Sequence, residues 1–250
     1  MHLDHFVVHI NDATDATQAA TSAVAAGLPF DPKKGKGSKG FRATNIWIGR
    51  EYFEIAWLKT RDGGGWVPEW VERYNRGARG LVCLFLRTNR LDDFAHELTE
   101  RKVTHRIERT SFKVFFGLYT VRLPWRILLL PVIPGTDFEI SFIEYDRGVI
   151  ERYSKHWKPN ARDHGISGVN SARIMVPDLS AAVEFLRQIF PDGVFSEGKF
   201  TIVVDEGTIE VLQSSARPTV ELIAARDPGF SERTEKFAIE NVRVVSAAPI

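Results

Sequence analysis

The chain has 250 residues, 44% of them apolar and 26% charged, which is enough for one large core or two small ones. Its charges almost cancel, at a formal net of +1, and are mixed along the whole length, so nothing funnels a polyanion toward a surface and nucleic acid is not an expected partner. No basic stretch followed by an apolar core opens the sequence, and the most apolar window, 123–133, is interrupted by Pro124, Arg126 and Pro131; a cytoplasmic protein without membrane contact is expected.

Residues 3–10, with Phe6, Val7, Val8 and Ile10, read as a strand. A helix over 16–26 follows, capped by Asp12 with Asp15 three residues on, and Gly27 stops it. The stretch 31–40 has loop composition, and its Lys33, Lys34, Lys36 and Lys39 are either solvated or part of a lid. Strands at 44–48 and 52–58 turn at Gly49, Arg50 and Glu51. The connector 61–78 reads as flexible; Gly63, Gly64 and Gly65 are followed by Trp66 rather than by a lysine and a hydroxyl residue, so they form no phosphate loop.

A second unit, 79–146, repeats the pattern: a strand at 81–87, a helix at 91–101, and strands near 103–109, 112–123, 126–133 and 138–145. Its Cys83, the one cysteine of the chain, lies among Leu81, Val82, Leu84 and Phe85 and reads as an inert core thiol. A polar linker, 151–167, carries His156 and His164 at no recognisable metal-ligand spacing. The third unit, 168–250, has a strand at 171–176, a helix capped by Asp178 behind Pro177 and reaching 190, and strands at 200–205, 208–213 and 219–225. A βαβββ unit cannot cover both faces of its sheet alone and must pair. The tail 237–248 therefore completes a fourth half, or a second copy of the chain supplies it in a homodimer. The fold class is α+β: repeated βαβββ units whose curled mixed sheets surround a cleft.

Period-two alternation puts His5, Val7 and His9 on one face of the first strand, and an unpaired inward imidazole is costly. Glu54 stands among Tyr52, Phe53, Ile55, Ala56 and Trp57, and Glu139 between Phe138 and Ile140. Such carboxylates need a metal, a hydrogen-bond donor or a cation, with Arg42, Arg122 and Arg126 as the candidate arginines. Asn45 is placed to orient a substrate carbonyl, or else to form a turn. The tryptophans, Trp47 and Trp57 foremost, offer apolar walls for a ring-bearing ligand. Glu210 and Glu221 are expected to face solvent.

The runs Leu3-Asp4-His5-Phe6-Val7-Val8, Thr44-Asn45-Ile46-Trp47-Ile48 and Tyr52-Phe53-Glu54-Ile55 resemble the glyoxalase-like domains of the vicinal oxygen chelate superfamily. So do 138–145, the third unit's Met175-Val176-Pro177-Asp178-Leu179, and Thr208-Ile209-Glu210-Val211-Leu212; the likeness covers about residues 1–215. It implies paired units forming a cupped sheet, with a divalent metal (zinc, iron, manganese or nickel) held by a residue of the first and one of the last strand of each unit. Residue by residue, His5 and Glu54 match those positions in unit one and Glu139 matches the last-strand carboxylate of unit two, whose first-strand position falls on Val82 or Cys83. In unit three Ser171 stands for the histidine and Glu210, with Glu221 as rival, for the carboxylate. The resemblance implies a small-molecule isomerase, lyase or dioxygenase, with the metal as Lewis acid and Glu54 or Glu139 moving the proton. A metal-free protein that sequesters an aromatic molecule in the same cleft is the other reading, supported by the missing second histidine.

Overall fold

The computed structural model describes residues 1–25, 37–109, 111–114, 118–154, 166–214, 216–226 and 237–246. The helix stop at Gly27, Lys33, Lys34 and Lys36, and the linker's His156 and His164 lie outside the described residues.

The first unit runs β1 (His2–His9), α1 (Ala13–Ala25), β2 (Phe41–Trp47) and β3 (Tyr52–Leu58). Asp12 opens α1 as the sequence suggests, accepting from the backbone N–H groups of Thr14 at 2.7 Å and Asp15 at 3.3 Å. The connector is not featureless. A 3-10 turn, Gly63–Gly65, leads into α2 (Pro68–Asn75), whose first turn carries Pro68 where a missing N–H costs nothing. The second unit is β4 (Gly80–Arg87), α3 (Leu91–Glu100), β5 (Arg106–Glu108), β6 (Ser111–Val114), β7 (Tyr119–Arg122), β8 (Trp125–Leu129) and β9 (Glu139–Tyr145). The single strand expected over 112–123 is instead part of a β6–β7 hairpin separate from the main sheets.

After the short helix α4 (Val149–Ser154), the third unit holds β10 (Ile166–Val176), α5 (Leu179–Ile189), β11 (Val194–Ser196), β12 (Lys199–Val204) and β13 (Gly207–Gln213). It is followed by β14 (Thr219–Arg226), β15 (Phe237–Ile239) and β16 (Val242–Ser246). Asp178 caps α5 by accepting from Ala181 N–H at 3.0 Å.

Two seven-stranded mixed sheets result. In the first, the order β2-β3-β1-β4-β9-β8-β5 joins units one and two through the antiparallel β1–β4 pair. In the second, β11-β12-β13-β10-β14-β16-β15 joins unit three to the tail, with β16 parallel to β14. The tail thus extends the second sheet within the chain. One apolar cluster fuses the back faces of both sheets with α1, α3 and α5, through residues such as Phe6, Phe53, Leu98, Phe142, Leu186 and Phe237. A second cluster, with Val7, Trp66, Trp70, Val71, Val82, Cys83 and Phe85, lies on the other face of the first sheet, where the α2 segment packs. Burial of this scale is what holds the fold, at about 25 cal/mol per Å² of apolar surface.

Candidate active site

Residues paired across neighbouring strands share a face, so register maps the inner side of the first sheet. Asn45 pairs with Glu54, Glu54 with Val7, Val7 with Cys83, and Cys83 with Glu139. One step along, Trp47 pairs with Tyr52, Tyr52 with His5, and His5 with Phe85. His9 pairs with Ala56 one step the other way. Asn45, Trp47, Glu54, His5, His9 and Glu139 therefore all share the inner face. Trp57 does not join them; it lies on the opposite face of β3, half-buried against the main core.

His5 is buried and sandwiched, with ring centroids 4.7 Å from Tyr52 and 4.4 Å from Phe85. Its Nδ1 lies 2.7 Å from Asp4 Oδ1, which also accepts from the Tyr145 hydroxyl at 2.8 Å. Neighbours on a flat strand point to opposite faces, and a bulge removes that obstacle here. The register against β4 slips between Leu3 and His5, leaving Asp4 as the extra residue, free to turn toward the imidazole. A carboxylate only accepts, so the Nδ1 position carries the hydrogen and Nε2 is directed elsewhere. Nε2 faces Glu54 Oε2 at 4.0 Å. The Glu54 side chain keeps 28% of its surface open. Burial pushes its carboxyl above the usual range, and His5 pulls partly against that shift. Burial likewise holds the Tyr145 hydroxyl well above its ordinary value, with the Asp4 carboxylate adding to it.

The deeper half of this face is filled from within the chain. Trp70 Nε1 donates to Glu139 Oε1 at 3.0 Å, and Arg73 Nη2 donates to Glu139 Oε2 at 2.7 Å. Arg73 Nη1 also reaches the Asp137 carbonyl at 3.1 Å, and the Ser141 hydroxyl donates to Glu139 Oε1 at 3.4 Å. The arginine that Glu139 needs is thus Arg73, not Arg42, Arg122 or Arg126. Arg126 pairs with Asp92 at 2.8 Å and with Glu144. His9 lies edge-on to the rings of Trp66 and Tyr74, at 5.6 and 5.2 Å.

The ligand set drawn from the resemblance is not assembled. Among the described residues, no three histidine, cysteine, aspartate or glutamate side chains are grouped to hold a metal ion. The chemistry of the donors gives the reason. Val7 and Cys83 separate Glu54 from Glu139, whose oxygens are engaged by Trp70, Ser141 and Arg73. Burial holds the Cys83 thiol well above its usual value, which keeps it protonated and a poor ligand. In the second sheet, Arg173 pairs with Glu210 at 3.2 Å and with Glu221 at 3.5 Å, and Lys199 also pairs with Glu210. Glu210 and Glu221 are half-buried rather than simply solvated. Ser171 Oγ accepts from Thr208 N–H at 3.1 Å.

Sequence reasoning missed Asp4, Tyr52, Tyr145 and Arg73. Tyr52 and Tyr145 were legible as aromatic residues on returning strands, but nothing in a single strand announces the bulge that recruits Asp4.

Paired strand-helix-strand units with a polar inner face define a protein of the vicinal oxygen chelate superfamily. A family model for the glyoxalase-like domain matches residues 3–190, and the chain belongs to that family. A search of curated proteins returned no match. Among solved structures, a hypothetical protein from Staphylococcus aureus is similar over 98% of both chains, at 13% identity and a TM-score of 0.65. A mutant of 4-hydroxymandelate synthase from Streptomyces coelicolor is similar over 89% of this chain and 70% of that one, at 12% identity and a TM-score of 0.53. Methylmalonyl-CoA epimerase from Mycobacterium tuberculosis is similar over 60% of this chain and 91% of its own, at 13% identity and a TM-score of 0.42. At these identities the first two of these structures show a shared fold. No helix among the described residues is long and apolar enough to cross a membrane.

Proposed function

We propose that the protein is an acid–base enzyme acting on a small carbonyl compound, with His5 and Glu54 as the proton-moving pair. The observation that carries this is the array in which Asp4 holds His5 at 2.7 Å while Nε2 faces a solvent-reached carboxyl at 4.0 Å. Two titratable groups in a partly desolvated site, one fixed by a third, is the arrangement that proton transfer needs.

His5 Nε2 takes the proton from the carbon beside the substrate carbonyl, and Glu54, whose carboxyl burial shifts toward the protonated form, gives a proton to the carbonyl oxygen. In a 2-hydroxy carbonyl compound, Glu54 then takes the proton from the neighbouring hydroxyl oxygen, which becomes the new carbonyl, while His5 returns its proton to the former carbonyl carbon, an isomerisation with no net change in protons. Asp4 and Tyr145 are positioning residues that fix the tautomer and orientation of His5. Asn45, beside Glu54 on the same face, is placed to donate to a substrate oxygen, and Trp47 and Tyr52 form an aromatic wall with ring centroids 4.3 Å apart. The similar fold of a 4-hydroxymandelate synthase mutant is consistent with an enzyme here. The divalent metal implied by the resemblance does not fit the donor set of this chain, and no step is routed through one.

The test is deuterium exchange followed by proton NMR in D₂O, with a panel of 2-oxo acids, 2-hydroxy ketones and acyl thioesters. Wild-type protein is expected to exchange the hydrogen beside the carbonyl of at least one compound. His5→Gln and Glu54→Gln should each slow that exchange by about 10²–10⁴-fold while the circular dichroism spectrum stays native. Exchange unaffected by either substitution would remove the assignment. The aromatic wall favours one competing reading, a binding protein: compounds that quench tryptophan fluorescence saturably, with no exchange in any member of the panel, would select it.

A further inference from the structure

We infer that the segment carrying α2 has replaced the divalent ion of this fold with an internal cation, Arg73, so that the inner carboxylate is neutralised by the chain itself. The inference extends the acid–base reading above, but its test does not depend on any turnover.

The register places Glu139 on the last strand of unit two, four strands across from Asn45 and on the face that carries Glu54 and His5. A buried carboxylate there must be matched by positive charge or by donors. Both kinds of partner come from one short helix: Trp70 and Arg73 lie three residues apart on α2, on the side turned to the sheet, and both are buried. Arg73 is not a solvated residue that happens to lie nearby. Only 4% of its side chain is exposed, as for Glu139, and its second terminal nitrogen is fixed on the Asp137 carbonyl at the entry to β9. A planar guanidinium offers directed donors to Glu139 and Asp137 at once. With the Glu139 oxygens so engaged, a metal would compete with Trp70 and Ser141 at Oε1 or with Arg73 at Oε2, and in either place it would lie close to a guanidinium.

The helix is held in place independently of Glu139. Arg106 on β5 makes a two-point contact with Glu69, at 2.8 and 2.9 Å, and Trp66 packs against Phe41 at 4.2 Å between ring centroids. Upstream, Gly64 and Gly40 are pressed backbone to backbone: a Cβ on Gly40 would fall 2.1 Å from the Gly64 nitrogen. The segment is built into the inner face over Glu139, while Glu54 and Tyr52 on the same face stay partly open to solvent.

Two measurements on the full chain test this. In the first, chelator-treated protein is titrated calorimetrically with Zn²⁺, Mn²⁺, Fe²⁺ and Ni²⁺, each alone, with Glu139→Gln as the control. The expected result is no binding that depends on Glu139, whereas one ion per chain bound by wild type and lost in Glu139→Gln overturns the proposal. In the second, the melting temperatures of Arg73→Met, Glu139→Gln and the double variant are compared. Arg73→Met should lower the melting temperature, and Glu139→Gln in that background should recover at least half of the loss. Strict additivity of the two substitutions overturns the charge replacement. Should Arg73→Met fail to fold, Arg73→Lys, which keeps the charge, must fold and must also show no Glu139-dependent metal binding. A protein that catalyses no exchange but passes both measurements loses only the acid–base reading.

Discussion

His9 shows what burial between the first sheet and the α2 segment imposes on a single residue. It is 1% exposed, and neither ring nitrogen has a hydrogen-bond partner among the described residues. Its pKa is lowered from 6.5 to about 3, first by burial and then by Arg73 and Arg79. Between those two values the unfolded chain binds a proton that the folded chain refuses, so stability rises with pH there and is lost on acidification from about 6.5 toward about 3. The gap sets an upper bound of about 5 kcal/mol at the acid end. His9→Phe should therefore raise the melting temperature at about pH 4.5 relative to that at about pH 6.5, compared with wild type; an unchanged pH dependence would show that His9 titrates as an ordinary histidine. Residues of this kind were partly legible. His5, His9 and Glu54 stand out as polar residues in apolar strands, and alternation put them on one face. Asp4 was hidden, because alternation points it away from His5 and only pairing with β4 creates the bulge. Trp57 was misplaced because β3 is apolar on both faces, so its sequence does not tell inside from outside.

At the level of elements, the strands and helices with regular spacing were readable, and the α2 segment was not. Glycines at 63–65 and a pair of tryptophans suggested a flexible connector, although Pro68 at a helix start was a usable signal. What the sequence could not convey is that the segment folds back onto the first sheet, since its buried polar partner, Glu139, lies 66 residues beyond Arg73. Pro68–Asn75 spans only about two turns and gains little from local helix formation, so tertiary contacts must hold it. Trp70 contributes both a ring, 6.1 Å from Phe85, and the Nε1 donor to Glu139. These parts separate by substitution. Trp70→Phe keeps most of the ring and deletes the donor, and should cost about 1–3 kcal/mol in urea unfolding. Trp70→Ala removes both and should cost about 3–5 kcal/mol. Equal losses for the two variants would mean that the hydrogen bond, not the packing, fixes the helix.

Across the whole molecule, the two sheets share one core, and a few polar contacts set their alignment. Asn241, in the turn before β16, accepts from Leu81 N–H at 2.7 Å, and a Cβ on Gly80 would fall 2.0 Å from the same oxygen. Glu51, in the turn between β2 and β3, accepts from Val169 N–H of β10 at 2.9 Å while 7% exposed. Burial is the main cause that raises its pKa from 4.5 to about 7. The folded chain then holds a proton to higher pH than the unfolded chain does, so this contact weakens the fold as pH rises from about 4.5 to about 7, by up to about 3 kcal/mol. Glu51→Gln keeps an oxygen to accept from Val169 and removes the charge. The variant should be the more stable protein at pH 8, by an amount that shrinks toward zero near pH 4.5. The opposite slopes of Glu51 and His9 overlap between about 4.5 and 6.5, so wild-type stability should be nearly flat in that window. Each substitution alone should tilt it, His9→Phe downward and Glu51→Gln upward with rising pH. Denaturant titrations at half-unit pH intervals read this directly, and parallel curves for wild type and Glu51→Gln would show that the carboxylate between the sheets stays ionised throughout.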